Sequence, residues 1–147
     1  MIIYLVTMDQ IIKLGIVRNI YNSGLIIING VLNLTYIENT GGAFGIGNNS
    51  TLMFIISNII VITLVTKFII SKKDEVSKYI LISLGLILAG GIGNLIDRIF
   101  RGFVIDYIDF NPLIKYPVFN IADIYVVVGC ILIGINLFAN IIKDRKE

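Results

Sequence analysis

Residues Leu52 to Ile70 read LMFIISNIIVITLVTKFII, an apolar run whose only charge is Lys67. At about 1.5 Å of rise per residue, such a run approaches the roughly 20 residues that a helix needs to cross the hydrocarbon core of a bilayer. Three further stretches share its character: Met1 to Val17, Tyr79 to Ile96 and Ile121 to Ile142. The first is interrupted by Asp9 and Lys13, but their i,i+4 spacing puts both on one helix face, where each partly neutralises the other. The expected fold is an all-α membrane protein with four transmembrane helices and a small extracytoplasmic β-rich surface segment. It forms one domain over residues 1–147, with spans at about 1–17, 52–70, 79–96 and 121–142.

Composition agrees. With 56% hydrophobic and 15% charged residues and a mean hydropathy of +0.91, the chain is too apolar to wrap a soluble core in a polar shell. Its 12 basic and 10 acidic residues leave a net charge of +2 and are spread along the sequence, so no nucleic-acid partner is expected. The one cysteine, Cys130, lies in an apolar run and can form neither an internal disulfide nor a CxxC pair. The chain has no histidine, which removes Ser-His-Asp and Cys-His catalysis and the HExxH zinc motif. Any chemistry falls to Asp, Glu, Lys or Tyr. The N-terminal stretch has no basic leader and no small-residue cleavage signature, and reads as a retained helix.

Orientation follows from the cations. Lys67, Lys72, Lys73 and Lys78 surround the link between the second and third spans, and Lys143, Arg145 and Lys146 follow the fourth. The positive-inside rule puts both groups, and hence both termini, in the cytoplasm. The segments Arg18 to Thr51 and Asp97 to Asn120 then lie outside. In the first of these, Leu25 to Tyr36 is β-branched, partly alternating and broken by Asn29-Gly30, which predicts a hairpin at the membrane surface. The glycine-rich stretch from Glu38 to Gly47 follows and would let backbone come close to other groups.

This topology gathers Asn39, Asn94, Asp97, Asp106, Asn120 and Asp123 at one outer interface. Ionisable groups at the edge of hydrocarbon are costly and usually face a protein interior or a wet cavity. Asp123 beside Asp106 would form a pair that cannot both ionise easily, so one holds a proton while the other acts as a base. Such a pair suits peptide hydrolysis by an activated water. Plainer readings exist for each residue. Asp97-Arg98 can be a structural contact or an interfacial anchor. Asp106 and Asp109 can sit on a solvated loop, Asn94 and Asn120 can cap helices, and the glycines after Asn39 can mark a turn. Asp9 with Lys13 reads as a structural pair, and Tyr107, Tyr116 and Tyr125 as an aromatic belt.

Five motifs in order add a resemblance over nearly the whole chain: Asp9-Gln10 with Lys13, Asn39-Thr40-Gly41-Gly42-Ala43-Phe44-Gly45, Gly91-Ile92-Gly93-Asn94-Leu95-Ile96-Asp97-Arg98, Gly102-Phe103-Val104-Ile105-Asp106-Tyr107 and Phe119-Asn120-Ile121-Ala122-Asp123. Together they resemble the lipoprotein signal peptidases, or signal peptidase II. The resemblance implies an aspartic endopeptidase of the bacterial cytoplasmic membrane that cleaves diacylglyceryl-modified prolipoproteins just before the lipid-modified cysteine, at the outer face. It implies Asp106 and Asp123 as the catalytic dyad, and Asn39, Asn94, Arg98 and Asn120 as lining or supporting the substrate pocket. Asp97 would brace that pocket, and Asp9 and Lys13 would support the first helix and surface segment. No metal or organic cofactor is implied; the expected partners are prolipoproteins and membrane lipids, and the expected state is a monomer. Two other classes compete. A proton-coupled transporter would hold its key acid near the bilayer midplane, where only Asp9 lies. A structural or chaperone-like subunit would need the outer aspartates for stability alone.

Overall fold

The computed structural model describes residues 1–42, 47 and 50–145. Ala43 to Ile46 of the glycine-rich stretch, Asn48 and Asn49 after it, and Lys146 of the C-terminal basic group lie outside the described residues. The elements run α1 (Ile2–Ile20), β1 (Leu25–Ile28), β2 (Leu32–Asn39), α2 (Thr51–Lys72), α3 (Lys78–Arg101), β3 (Val104–Asp109) and α4 (Ile121–Asp144). Among the described residues, three helices are long and apolar enough to cross a membrane: Thr51–Lys72, Lys78–Arg101 and Ile121–Lys143. The expected fourth span, α1, has 19 residues, but Asp9, Lys13 and Arg18 keep it out of that set.

The helices begin and end where local chemistry dictates. Ser77 caps α3 by accepting the Ile80 N–H, and Gly102, at φ 84°, ends it in the left-handed conformation that glycine adopts freely. That reversal sends the chain directly into β3. At α4, Asn120 and Asp123 form a reciprocal capping box. Helices α3 and α4 approach closely because small residues line their seam. A Cβ on Gly90 would lie 2.2 Å from the Ala122 carbonyl oxygen, and one on Gly129 would lie 2.7 Å from the Ser83 carbonyl oxygen. In lipid, where apolar surfaces gain little by merely meeting, such close packing is what holds helices together.

The expected surface hairpin is present: β1 and β2 pair antiparallel, with Gly30 at φ 73° in the turn. The sheet then gains a strand that the sequence did not announce. β3 pairs with β2, giving the order β1-β2-β3. Its alternation sorts its side chains between two faces. Ile105 and Tyr107 enter a core with Ile16 and Ile20 of α1, while Val104 and Asp106 face a cavity on the other side. Tyr107 is thus not the belt residue expected: it is only 4% exposed, and its hydroxyl accepts the Ile121 N–H at the start of α4.

Candidate active site

Two stripes on α3 organise the polar interior. Gly90, Asn94 and Arg98, four residues apart, border a cavity of about 350 Å³. Gly93, Asp97 and Arg101, also four apart, turn toward α1. On the α1 side, Lys13 Nζ lies 2.9 Å from Asp9 Oδ2 and 2.8 Å from Asp97 Oδ2, and donates to Asn94 Oδ1 at 3.0 Å. An ammonium has three N–H donors, and all three find acceptors. Asp97 also pairs with Arg101 and accepts the Ile105 N–H and a Gln10 amide hydrogen. Two cations therefore answer two carboxylates in a site where Asp9, Lys13 and Asp97 are fully buried. Unpaired charges there would be prohibitive. Gly93 permits the arrangement, since a Cβ on it would meet Asp9 Oδ2 at 2.6 Å.

Asn94 carries this cluster across to the cavity. Its oxygen accepts from Lys13 and from Asn120 Nδ2 at 3.1 Å, which fixes the orientation of its amide. The amide nitrogen then donates to Asp123 Oδ1 at 2.7 Å. The second oxygen of Asp123 accepts the Asn120 backbone N–H at 3.0 Å. Asp106 is held in parallel fashion: Asn120 Nδ2 donates to Oδ1 at 2.6 Å and Asn39 Nδ2 to Oδ2 at 2.8 Å. Asn120 is thus both the cap of α4 and the link between the two carboxylates. Strand register explains Asn39. It pairs with Val104, so Asp106 is its diagonal neighbour on the cavity face.

The two carboxyl groups have different surroundings. Asp106, 3% exposed, is pushed up to about 6, first by burial and then by the charge of Asp123, with Asn39, Asn120 and Lys13 pulling the other way. Asp123 is only half-buried and stands in the first turn of α4, where the helix dipole favours a negative charge. Arg98 completes the wall. It donates to the Gly41 carbonyl at 2.9 Å, and its guanidinium lies 5.1 Å over the Phe54 ring of α2. Its Nε has no partner among the described residues.

Asn39, Asn94, Arg98, Asp106 and Asp123 all border the cavity. Asn120, fully buried, acts from behind. Asp97 does not reach the cavity; it ties α3 to α1 and β3 instead. Arg98 is 8% exposed, so it is no interfacial anchor. Sequence reasoning assigned no role to Gln10, Phe54 or Arg101. Gln10 stood in the Asp9-Gln10 motif, and Arg101 left its i,i+4 spacing from Asp97 as a signal. Among the described residues, no group of three or more potential ligands could hold a metal ion.

The family model described as signal peptidase (SPase) II matches residues 1–139. A lipoprotein signal peptidase of Clostridioides difficile (strain 630) is 44% identical over 137 residues, covering 91% of this chain and 89% of that protein. One from Halothermothrix orenii is 39% identical over 138 residues, covering 93% and 92%. Among solved structures, a bacterial membrane enzyme determined by the in meso method at 2.3 Å superposes with a TM-score of 0.86 at 33% identity, covering 95% of this chain and 85% of that one. Another, at 1.9 Å, gives 0.81 at 34% identity, covering 92% and 88%.

Proposed function

We propose, from the premise that this chain belongs to the signal peptidase II family, that Asp106 and Asp123 are the catalytic pair with which it removes signal peptides from prolipoproteins. It is a multi-pass bacterial membrane protease. The observation that carries the assignment is the asymmetric pair itself: two carboxyl groups on one cavity, joined through Asn120 and held in unlike surroundings.

Those surroundings divide the labour. Asp106, buried and raised, holds the proton; Asp123, at a helix N-terminus, is the base. A water bound between them loses a proton to Asp123 as its oxygen attacks the scissile carbonyl, while Asp106 protonates the carbonyl oxygen. Asp123 next gives its proton to the leaving amine, the C–N bond breaks, and Asp106 recovers its proton as the new carboxyl group forms.

The same reading extends to the whole molecule. The chain is a single domain with four spans, α1 being the fourth. Its charged groups Asp9 and Lys13 are turned inward while Ile3, Tyr4, Ile11 and Leu14 are exposed, the distribution a lipid-facing helix requires. With α1 spanning, the lysine-rich ends favour cytoplasmic termini and an outer face for the aspartates. There the acyl chains of a diacylglyceryl-modified substrate remain in lipid while its cleavage site meets water. The chain acts as a monomer. The test is cleavage by purified protein in detergent of a diacylglyceryl-modified precursor against the unmodified one. Cleavage just before the modified cysteine, in the modified precursor alone, is expected; equal cleavage of both would remove the lipid requirement.

A further inference from the structure

We infer that Asn58 of α2 is a specificity-determining residue of this cavity, whose side-chain amide hydrogen-bonds the substrate backbone in the residues just before the scissile bond. The inference rests on the peptidase reading above. Asn58 is the sole amide or acid between Thr51 and Ile70, and it borders the same cavity as Asp106 and Asp123. Among the described residues it has no hydrogen-bond partner. Its neighbour Ser57 satisfies its hydroxyl on the helix's own Phe54 carbonyl, a device common for hydroxyls in apolar helices, but Asn58 does not. A primary amide left without partners in a membrane helix is costly, so its place on the cavity wall points to a partner that arrives with the substrate.

Its height in the bundle names that partner. One turn outward on α2, the Phe54 ring lies under the Arg98 guanidinium; one turn inward, Ile62 is the nearest neighbour of Gly91, 3.5 Å from where a Cβ would stand. Asn58 falls between these levels, near that of Asn94, the residue that holds Asp123. It therefore stands on the α2 side of the cavity that the catalytic pair borders. The α3 floor between the walls carries no side chain at Gly90 and Gly91, and the α4 wall there is Val126 and Val127. A signal peptide leaving its helix to present an extended bond to the pair exposes N–H and C=O groups that hydrocarbon cannot satisfy. An amide offers both a donor and an acceptor, and one such side chain spans two or three residues of extended strand at about 3.3 Å each. By bonding backbone rather than side chains, it would select an unwound segment without selecting its sequence.

The test is a double-mutant cycle with the modified precursor, using parent protein, Asn58→Leu and, as control on the outward side of α2, Ser57→Ala. Each of the three amide bonds preceding the scissile bond is replaced in turn by an ester. A net hydrogen bond corresponds to about a 2- to 10-fold effect. Asn58→Leu is expected to lose that much in kcat/KM, chiefly through KM, with Ser57→Ala unchanged. One ester is expected to cost the parent a similar factor and to cost Asn58→Leu nothing further. Full activity of Asn58→Leu, or losses that multiply for all three esters, would overturn the role of Asn58 and leave the peptidase reading standing. A parent that cleaves no precursor refutes the peptidase reading itself. Should Asn58→Leu fold poorly by its thermal unfolding midpoint, the ester series on the parent decides: no sensitive position among the three overturns the inference.

Discussion

Replacing Asn39 with leucine removes the amide that donates to Asp106 Oδ2 at 2.8 Å and leaves the carboxyl group with Asn120 as its remaining side-chain donor among the described residues. That hydrogen bond favours the ionised form, so its loss raises the Asp106 pKa further above its value of about 6. A hydrogen bond to a charged group is worth about 1.5–3 kcal/mol. Asn39 is half-buried, which places it at the low end, and at 1.36 kcal/mol per unit the shift is about one pKa unit upward. Cleavage needs one proton on the pair, so kcat/KM falls as pH rises through the apparent pKa of the proton-holder. The alkaline limb should therefore be centred near 6 in the parent and about one unit higher in Asn39→Leu. Asn39 also accepts the Gly41 N–H, and the Gly41 carbonyl anchors Arg98, so the maximal rate falls as well. The midpoint isolates the effect on Asp106. A pH profile in detergent with saturating and limiting substrate measures it; an unmoved limb, or one displaced to lower pH, would refute the assignment of the proton to Asp106.

Other consequences bear on the scaffold. Gly90→Ala forces a methyl group against the Ala122 carbonyl, where a Cβ would stand at 2.2 Å, and should destabilise the α3–α4 seam by about 1–3 kcal/mol, read as a lower thermal unfolding midpoint with cleavage lost in proportion. Lys13→Met leaves Asp9 and Asp97 buried without their shared cation and should cost about 3–5 kcal/mol; combining it with Asp9→Asn should recover part of that loss, whereas two independent losses would show that the cluster is not electrostatically coupled. Cysteines placed singly at Ser23, Ser50 and Ser77 in a Cys130→Ser background should react with an impermeant reagent from outside at the first two positions only, and outside access at Ser77 would reverse the topology.

Much of this architecture was legible in the sequence because lipid imposes long, simple patterns. The runs around Leu52 to Ile70, Tyr79 to Ile96 and Ile121 to Ile142 each became a helix extended by a few residues at its ends. The Asn29-Gly30 turn made its hairpin, and the i,i+4 pair Asp9 and Lys13 formed its ion pair. What the sequence concealed were contacts between distant segments. Val104 to Asp109 carries two aspartates in six residues and has no hairpin partner next to it in sequence, and it becomes a strand because β2 is beside it. Tyr107 looked like a belt residue because nothing local reveals that α1 covers it. The spacing of Asp9 and Lys13 gave no hint that Lys13 also serves Asp97 and Asn94. Asn120 was readable as a cap or as a site residue; it caps α4, and that cap directs its amide at Asp106.

The most direct test of the central claim is cleavage of the modified precursor by Asp106→Asn and Asp123→Asn beside the parent, with thermal unfolding of each as the check on folding. Both variants keep the size of the side chain, but each turns one accepting oxygen into an NH2 that faces a donor, so the unfolding midpoint separates a loss of stability from a loss of chemistry. Each should lose cleavage by at least about three orders of magnitude, as expected when one member of a unit that acts together is removed. A well-folded variant of either residue that cleaves at the parent's rate would contradict the assignment of these two carboxyl groups as the catalytic pair.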